Sequence, residues 1–267
     1  MLQKLRNEIQ RYFQTEDIEF REITSGRTNT NFFLMVGDKE YFLRTNITKI
    51  LDQEFGGKLE KEYQIFSKLQ NTGLTAELID YIDNGAGLQW IILEKLPGRM
   101  PDKFYHDQDK IFDVLHRFQN LDYKQFDFLE PLDLIDDFKN LIYARLQKVD
   151  IPELRDILTE LTDYLFTRDW NLHPELSICH NDFRSDNILV SETDAKIIDL
   201  ESCVIADRYI DPAEYYIGGV FWGNFQDETT FDYDHYKQYM DDAGYTDIHK
   251  QKYIFMMKFC SNFAWLS

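Results

Sequence analysis

Three cysteines are all that this 267-residue chain has, and Cys179, Cys203 and Cys260 form an odd, widely spaced set. Without a Cys-x-x-Cys pair they suit a reducing cytoplasm and argue against zinc. The six histidines show no ligand spacing either. No apolar run approaches the roughly 18 residues that a bilayer span requires, which excludes membrane insertion by a helix. The N-terminus, Met1 to Phe13, has no apolar h-region and carries Glu8, so neither a secretory nor a transit peptide is expected. Basic residues are also scarce, 29 against 48 acidic ones, for a net charge of −19. Such a field repels nucleic acid and attracts cations. It fits steering of a cationic substrate, but taken alone it reads first as ordinary solubility. Internal repeats and low-complexity segments are absent.

The composition that is present, 43% hydrophobic and 29% charged, is that of a globular protein able to bury a large core. Apolar positions at Leu2, Leu5, Ile9 and Phe13 open the chain as an amphipathic helix. Strand patterns follow at 18–23, 31–36 and 40–45, with Gly37 in the second turn. A helix with Leu59, Tyr63, Phe66 and Leu69 on one face ends near Asn71-Thr72-Gly73, before two more strand patterns at 76–81 and 89–93. Beyond Pro97-Gly98 the pattern is mostly helical, at about 103–120, 133–148, 152–168, 213–221, 233–243 and 247–265. This order implies an α+β chain of two lobes. Residues 1–95 form a small β-rich lobe and 96–267 a larger helical one, and a cleft between them would suit a nucleotide.

The segment His180-Asn181-Asp182-Phe183-Arg184-Ser185-Asp186-Asn187 carries the chemistry. Asp182 and Asn187 stand five residues apart, so one tight loop can turn both toward a point. Asp199 follows twelve residues after Asn187, beyond two short apolar runs around the turn-forming Ser191-Glu192-Thr193-Asp194. Those runs read as a β-hairpin that returns Asp199 to the loop. Phosphoryl transfer needs this set: an Asp to orient and deprotonate a hydroxyl, and an Asn plus an Asp to hold Mg²⁺ on the phosphates of ATP.

Other positions fit the same chemistry. Arg44 ends the third strand where a kinase-like lobe places a cation against the α- and β-phosphates. Glu62, in the following helix, is its expected partner through a bidentate pair. Ser25 to Asn31 links the first two strands with one glycine only. It is no Gly-x-Gly-x-x-Gly loop, yet the hydroxyl of Thr28, the amide of Asn29 and the backbone N–H groups suit a phosphate. Backbone groups of Glu94 and Leu96 are placed to pair with an adenine edge. His116 lies in a helix pattern and reads as structural.

In this combination the chain resembles the choline/ethanolamine kinase branch of the aminoglycoside-phosphotransferase-like superfamily. The resemblance is carried by Gly26-x-Thr28-Asn29-x-Asn31, by Arg44 where most kinases have Lys, by His180-Asn181-Asp182 through Asn187, and by Ile198-Asp199-Leu200-Glu201. Asp211-Pro212-Ala213 also fits. It implies Asp182 as catalytic base, His180 as a brace of the loop, and Asn187 and Asp199 as metal ligands, with Glu201 a further acid near metal or substrate. The chain departs from the branch at Leu200, where an aromatic is usual. It departs again three residues after Pro212, where Tyr215 preceded by Glu214 replaces an Asp. The implied acceptor is a small cationic alcohol, choline or ethanolamine, met by Glu201, Glu214 and aromatics such as Tyr215 and Trp222. An aromatic stripe at helical spacing is more often core, so no cage residue is fixed by the sequence.

Two alternatives stay open. An aminoglycoside-type or sugar phosphotransferase uses the same scaffold, and acidic walls suit a polycation equally. A pseudokinase-like binding module is opposed by the presence of every polar catalytic residue. A protein kinase is disfavoured, because the eleven residues between Asp199 and Asp211 are too few for an activation segment and its peptide-docking platform.

Overall fold

The computed structural model describes residues 2–23, 29–48, 59–85, 87–101, 107–133, 136–168, 172–221 and 233–266. The chain divides into two compact units, Met1–Gly98 with Lys196–Glu201, and Arg99–Ala195 with Ser202–Ser267.

The first unit is built on a five-stranded antiparallel sheet. Its strands are β1 (Ile18–Ile23), β2 (Asn29–Val36), β3 (Lys39–Thr48), β4 (Leu78–Asp83) and β5 (Gln89–Glu94), in the order β1-β2-β3-β5-β4. Gly37 takes the positive φ, 58°, that the tight β2–β3 turn requires at its first central residue. Helix α1 (Leu2–Phe13) inserts Leu5 and Ile9, one turn apart, against Phe32, Leu34, Leu43, Trp90 and Ile92. Side chains alternate across a strand, so Arg44, next to Leu43, emerges on the opposite face of the sheet. Helix α2 (Leu59–Leu69) buries Leu59, Glu62, Ile65, Phe66 and Leu69 and lies against β4 and β5. Helices on both faces explain why Trp90-Ile91-Ile92-Leu93 reads as an unbroken apolar run. All four are buried.

The second unit holds α3 (Gln108–Gln119), α4 (Asp136–Leu146), α5 (Pro152–Thr167), α6 (Ile210–Phe221), α7 (Tyr233–Asp242) and α8 (Ile248–Leu266). Helix α8 packs on α4, α5 and α6, which is why polar side chains such as Lys250 and Lys258 are buried along it. Two elements were not expected from the sequence. β6 (Leu176–Cys179) pairs antiparallel with β9 (Val204–Asp207), and at four residues each they are too short for alternation to register. β7 (Ile188–Val190) and β8 (Ala195–Ile197) form the expected hairpin, closed by Ser191 and Asp194.

The compact units differ from the expected division at residue 95. Arg99 exchanges backbone hydrogen bonds with Val190 (3.0 and 2.7 Å), so the second unit starts there. Residues 196–201 group with the first unit. Ile197 N–H donates to Leu74 O at 2.9 Å, Thr75 Oγ1 donates to Ile197 O at 2.7 Å, and Lys196 donates to Gly73 O at 2.5 Å. Among the described residues no helix is long and apolar enough to cross a membrane. The three cysteines are buried and none is in a disulfide.

Candidate active site

In the second unit, β6 ends at Cys179 and delivers His180-Asn181-Asp182 at its tip. The loop is pinned from below by Asp211 at the start of α6. Its two carboxylate oxygens accept the backbone N–H groups of His180 (2.9 Å) and Asn181 (2.8 Å). Asp211 is fully buried, and that burial pushes its carboxyl above the ordinary range despite the donors around it. Asn181 sits at φ 65°, a left-handed conformation rare outside glycine but tolerated best by Asn and Asp. Its side-chain and backbone oxygens lie 3.4 and 3.5 Å from Lys258 Nζ, and Lys258 pairs with Glu214 at 3.0 Å.

The side chain of Asp182 is hydrogen-bonded at one oxygen and ion-paired at the other. Asn187 Nδ2 donates to Asp182 Oδ2 (2.9 Å) and to its backbone carbonyl (2.8 Å), while Arg184 Nε lies 3.1 Å from Oδ1. Arg184 is held in turn by Asp186 at 3.0 Å. Both N–H groups of the Asn187 amide are used on Asp182, which leaves its carbonyl Oδ1 as an oxygen donor for a hard cation. His180 is buried; its Nδ1 accepts from Asp182 N–H (3.3 Å) and its ring packs on Phe183.

The first unit gathers a second set. Arg44 Nη1 is ion-paired with Glu62 Oε1 at 3.0 Å, the expected pair, and donates to Asp199 Oδ1 at 2.7 Å, while Nη2 donates to Glu201 Oε2 at 2.5 Å. Asp199 adopts φ 62°, the turn that brings residues 199 and 201 to the same guanidinium. Three carboxylates converge on the one guanidinium here. Burial, reinforced by Asp199 and Glu201 and opposed by Arg44, raises Glu62 to about 7. Burial alone would lower Arg44, but the three carboxylates outweigh it and leave the guanidinium raised.

The remaining expected site residues are placed as follows. Glu94 ends β5, and its N–H donates to Glu77 O at 2.9 Å. Leu96 lies two residues on, half-buried. Asn29 opens β2 opposite Thr48, while Thr28 and Trp222 lie outside the described residues. Tyr215 is a core residue, not a wall of an acceptor pocket. It has no exposed surface, its ring contacts Phe112, Phe183 and Tyr239, and burial pushes its hydroxyl far up. Glu214 is buried against Lys258, so its charge is already met.

Sequence reasoning passed over Arg184 and Gly218. A Cβ on Gly218 would lie 2.9 Å from Arg184 Cγ and 3.2 Å from Glu214 Oε1, so α6 needs glycine there for Arg184 to pass. A cation two residues after Asp182, in the same turn, was the signal for the first. Gly218 had none.

A sheet-based unit, a helical unit and a loop that fixes an Asp through an Asn five residues on define a kinase-like phosphotransferase. The chain belongs to the phosphotransferase enzyme family, APH, whose sequence profile matches residues 19–244. Solved structures share its fold. The GDP complex of wild-type aminoglycoside 2'-phosphotransferase-IIIa is 16% identical with a TM-score of 0.71, over 98% of this chain and 90% of that one. Choline kinase from Cryptosporidium parvum Iowa II is 16% identical with a TM-score of 0.67, over 99% and 88%. A thermostable mutant of aminoglycoside phosphotransferase APH(4)-Ia, in ternary complex with AMP-PNP and hygromycin B, is 12% identical with a TM-score of 0.69, over 97% and 90%. No curated protein sequence matches the chain.

Proposed function

We propose that the chain transfers the γ-phosphoryl group of ATP, with Mg²⁺, to the hydroxyl of a small cationic molecule of the choline or ethanolamine kind. The observation that carries the reaction is the double hold on Asp182 by Asn187 and Arg184. A base held at both oxygens is already oriented when the hydroxyl arrives, which removes a rotational cost from the transition state. Asp182 takes the proton as the oxygen attacks phosphorus. His180 and Asp211 keep the loop in place beneath it.

Hard oxygen ligands fit magnesium, and the Asn187 carbonyl and the Asp199 carboxylate are of that kind. When bound, the ion offsets charge on the transferring phosphates. We assign nucleotide binding to the first unit, through Arg44 and the backbone about Asn29, Glu94 and Leu96. Catalysis and the acceptor are assigned to the second. Cytoplasmic residence follows from the cysteine usage.

The acceptor rests on the net charge of −19 and on the resemblance of the Thr28-Asn29 loop and Arg44 to the choline-kinase branch. Neither Glu214, paired with Lys258, nor Tyr215, in the core, supports it. An aminoglycoside acceptor is the second reading, favoured by the fold's likeness to aminoglycoside phosphotransferases. The test is kcat/KM for choline, ethanolamine, an aminoglycoside and a neutral sugar, each with ATP and with GTP. The expected order puts choline first and the sugar last. A leading neutral sugar, or choline turnover no higher than background ATP hydrolysis, would end the choline reading.

A further inference from the structure

We infer that Glu201 is a positioning residue for the nucleotide, acting through Arg44, and not a carboxylate of the acceptor pocket. The inference rests on the reading that Arg44 meets the nucleotide phosphates. Its ground is how the guanidinium is shared. Nη1 is held twice, by Glu62 at 3.0 Å and Asp199 at 2.7 Å, whereas the contact found at Nη2 is Glu201 at 2.5 Å. A planar fork held at one terminal nitrogen can still swing. Held at both, its plane is set. Glu62 therefore anchors the side chain and Glu201 fixes its orientation.

Glu201 is itself immobilised for that task. Its backbone carbonyl accepts from Lys61 Nζ of α2 at 3.0 Å, one residue before Glu62. Asp199, at φ 62°, turns the short 3-10 segment Leu200–Ser202 so that the carboxylate returns to β3. Its side chain is 27% exposed and that of Asp199 37%, against 5% for Arg44 and 1% for Glu62, so Glu201 and Asp199 together face the open side of the cluster. Were Asp199 to hold a metal ion, Nη1 would keep Glu62 and Nη2 would keep Glu201, which would hold the fork in place. Glu201 placed on an acceptor cation instead would release Nη2 at the moment that orientation matters.

Calorimetric titration of the full chain with ADP and ATP, with Mg²⁺ and separately in EDTA, tests this without an acceptor. Glu201→Gln keeps the shape and removes the charge. It is expected to weaken nucleotide binding roughly 3–10-fold, the scale of the net contribution of one hydrogen bond, equally in both conditions. In an Arg44→Lys background the same substitution should change affinity less than about twofold, because the effect runs through the guanidinium. Unchanged affinity in Glu201→Gln overturns the proposal. A loss confined to the Mg²⁺ titration would make Glu201 a metal ligand and overturn it too, as would additive losses in the double variant. Wild-type affinity in Arg44→Lys alone is a separate outcome. It would remove the reading of Arg44 on which the proposal stands. If Arg44→Lys fails to fold, the comparison of Mg²⁺ with EDTA for Glu201→Gln decides.

Discussion

At the scale of the residue, Arg44 shows how one side chain is asked to satisfy too many partners. Glu62 is raised to about 7, by burial first, against the pull of Arg44 and with the push of Asp199 and Glu201. Arg44→Lys replaces a planar fork with a single ammonium that cannot span Glu62 and Glu201 together. We expect it to raise the KM for ATP several-fold, with Glu62→Gln giving a smaller rise in the same direction; initial-rate kinetics at saturating acceptor check both. A larger effect from Glu62→Gln would contradict the ranking. Asp182, Asn187 and His180 could be read from the sequence because one local turn holds them together. The Arg44–Glu62 pair was also within reach, being a strand end and the next helix. The contacts of Arg44 with Asp199 and Glu201 span 155 and 157 residues, and no local spacing announces them.

At the scale of the element, α6 does more than its sequence promised. The helix was expected from residue 213, but it starts at Ile210 and takes in Asp211, so the pin of the catalytic loop is part of the helix itself. Tyr215 follows the general tendency of aromatic stripes at helical spacing to be core. It packs behind Phe183. Gly218 lets Arg184 lie along the helix. Gly218→Ala should push Arg184 from Asp182 and lower kcat by roughly tenfold. Tm should move little, because alanine adds helix propensity of up to about 1 kcal/mol. An unchanged kcat would mean that Arg184 does not orient the base. Asp211 gives a stability signature. Its folded pKa is raised, so the folded state holds the proton more tightly than the unfolded chain. Its contribution is full below about pH 4, the unfolded value, and is lost as pH rises through the folded one. The stability of the wild type relative to Asp211→Asn should therefore fall as pH rises from about 4, and denaturant melts at stepped pH would show it. A difference that grew with pH would contradict the sign. The β6–β9 pair was illegible for a different reason: four-residue strands, separated by 24 residues between Cys179 and Val204, leave no periodicity to detect.

At the scale of the whole molecule, a net charge of −19 is repulsion that the fold carries. Salt screens it, so Tm should rise between about 10 and 300 mM NaCl, as the Debye length falls from roughly 30 Å toward 6 Å. A Tm that fell over that range would show that local ion pairs outweigh the field. The same field favours a cationic acceptor, yet Glu201 and Glu214 are matched by Arg44 and Lys258. The reaction is therefore better determined than the acceptor. The central claim is that Asp182, oriented by Asn187 and Arg184, is the base of phosphoryl transfer. Its most direct test is the turnover number of Asp182→Asn with the best acceptor, with nucleotide affinity measured on the same sample. The account predicts a loss of roughly 10²–10⁴-fold in kcat with nucleotide binding intact. Near-wild-type turnover in Asp182→Asn would contradict it.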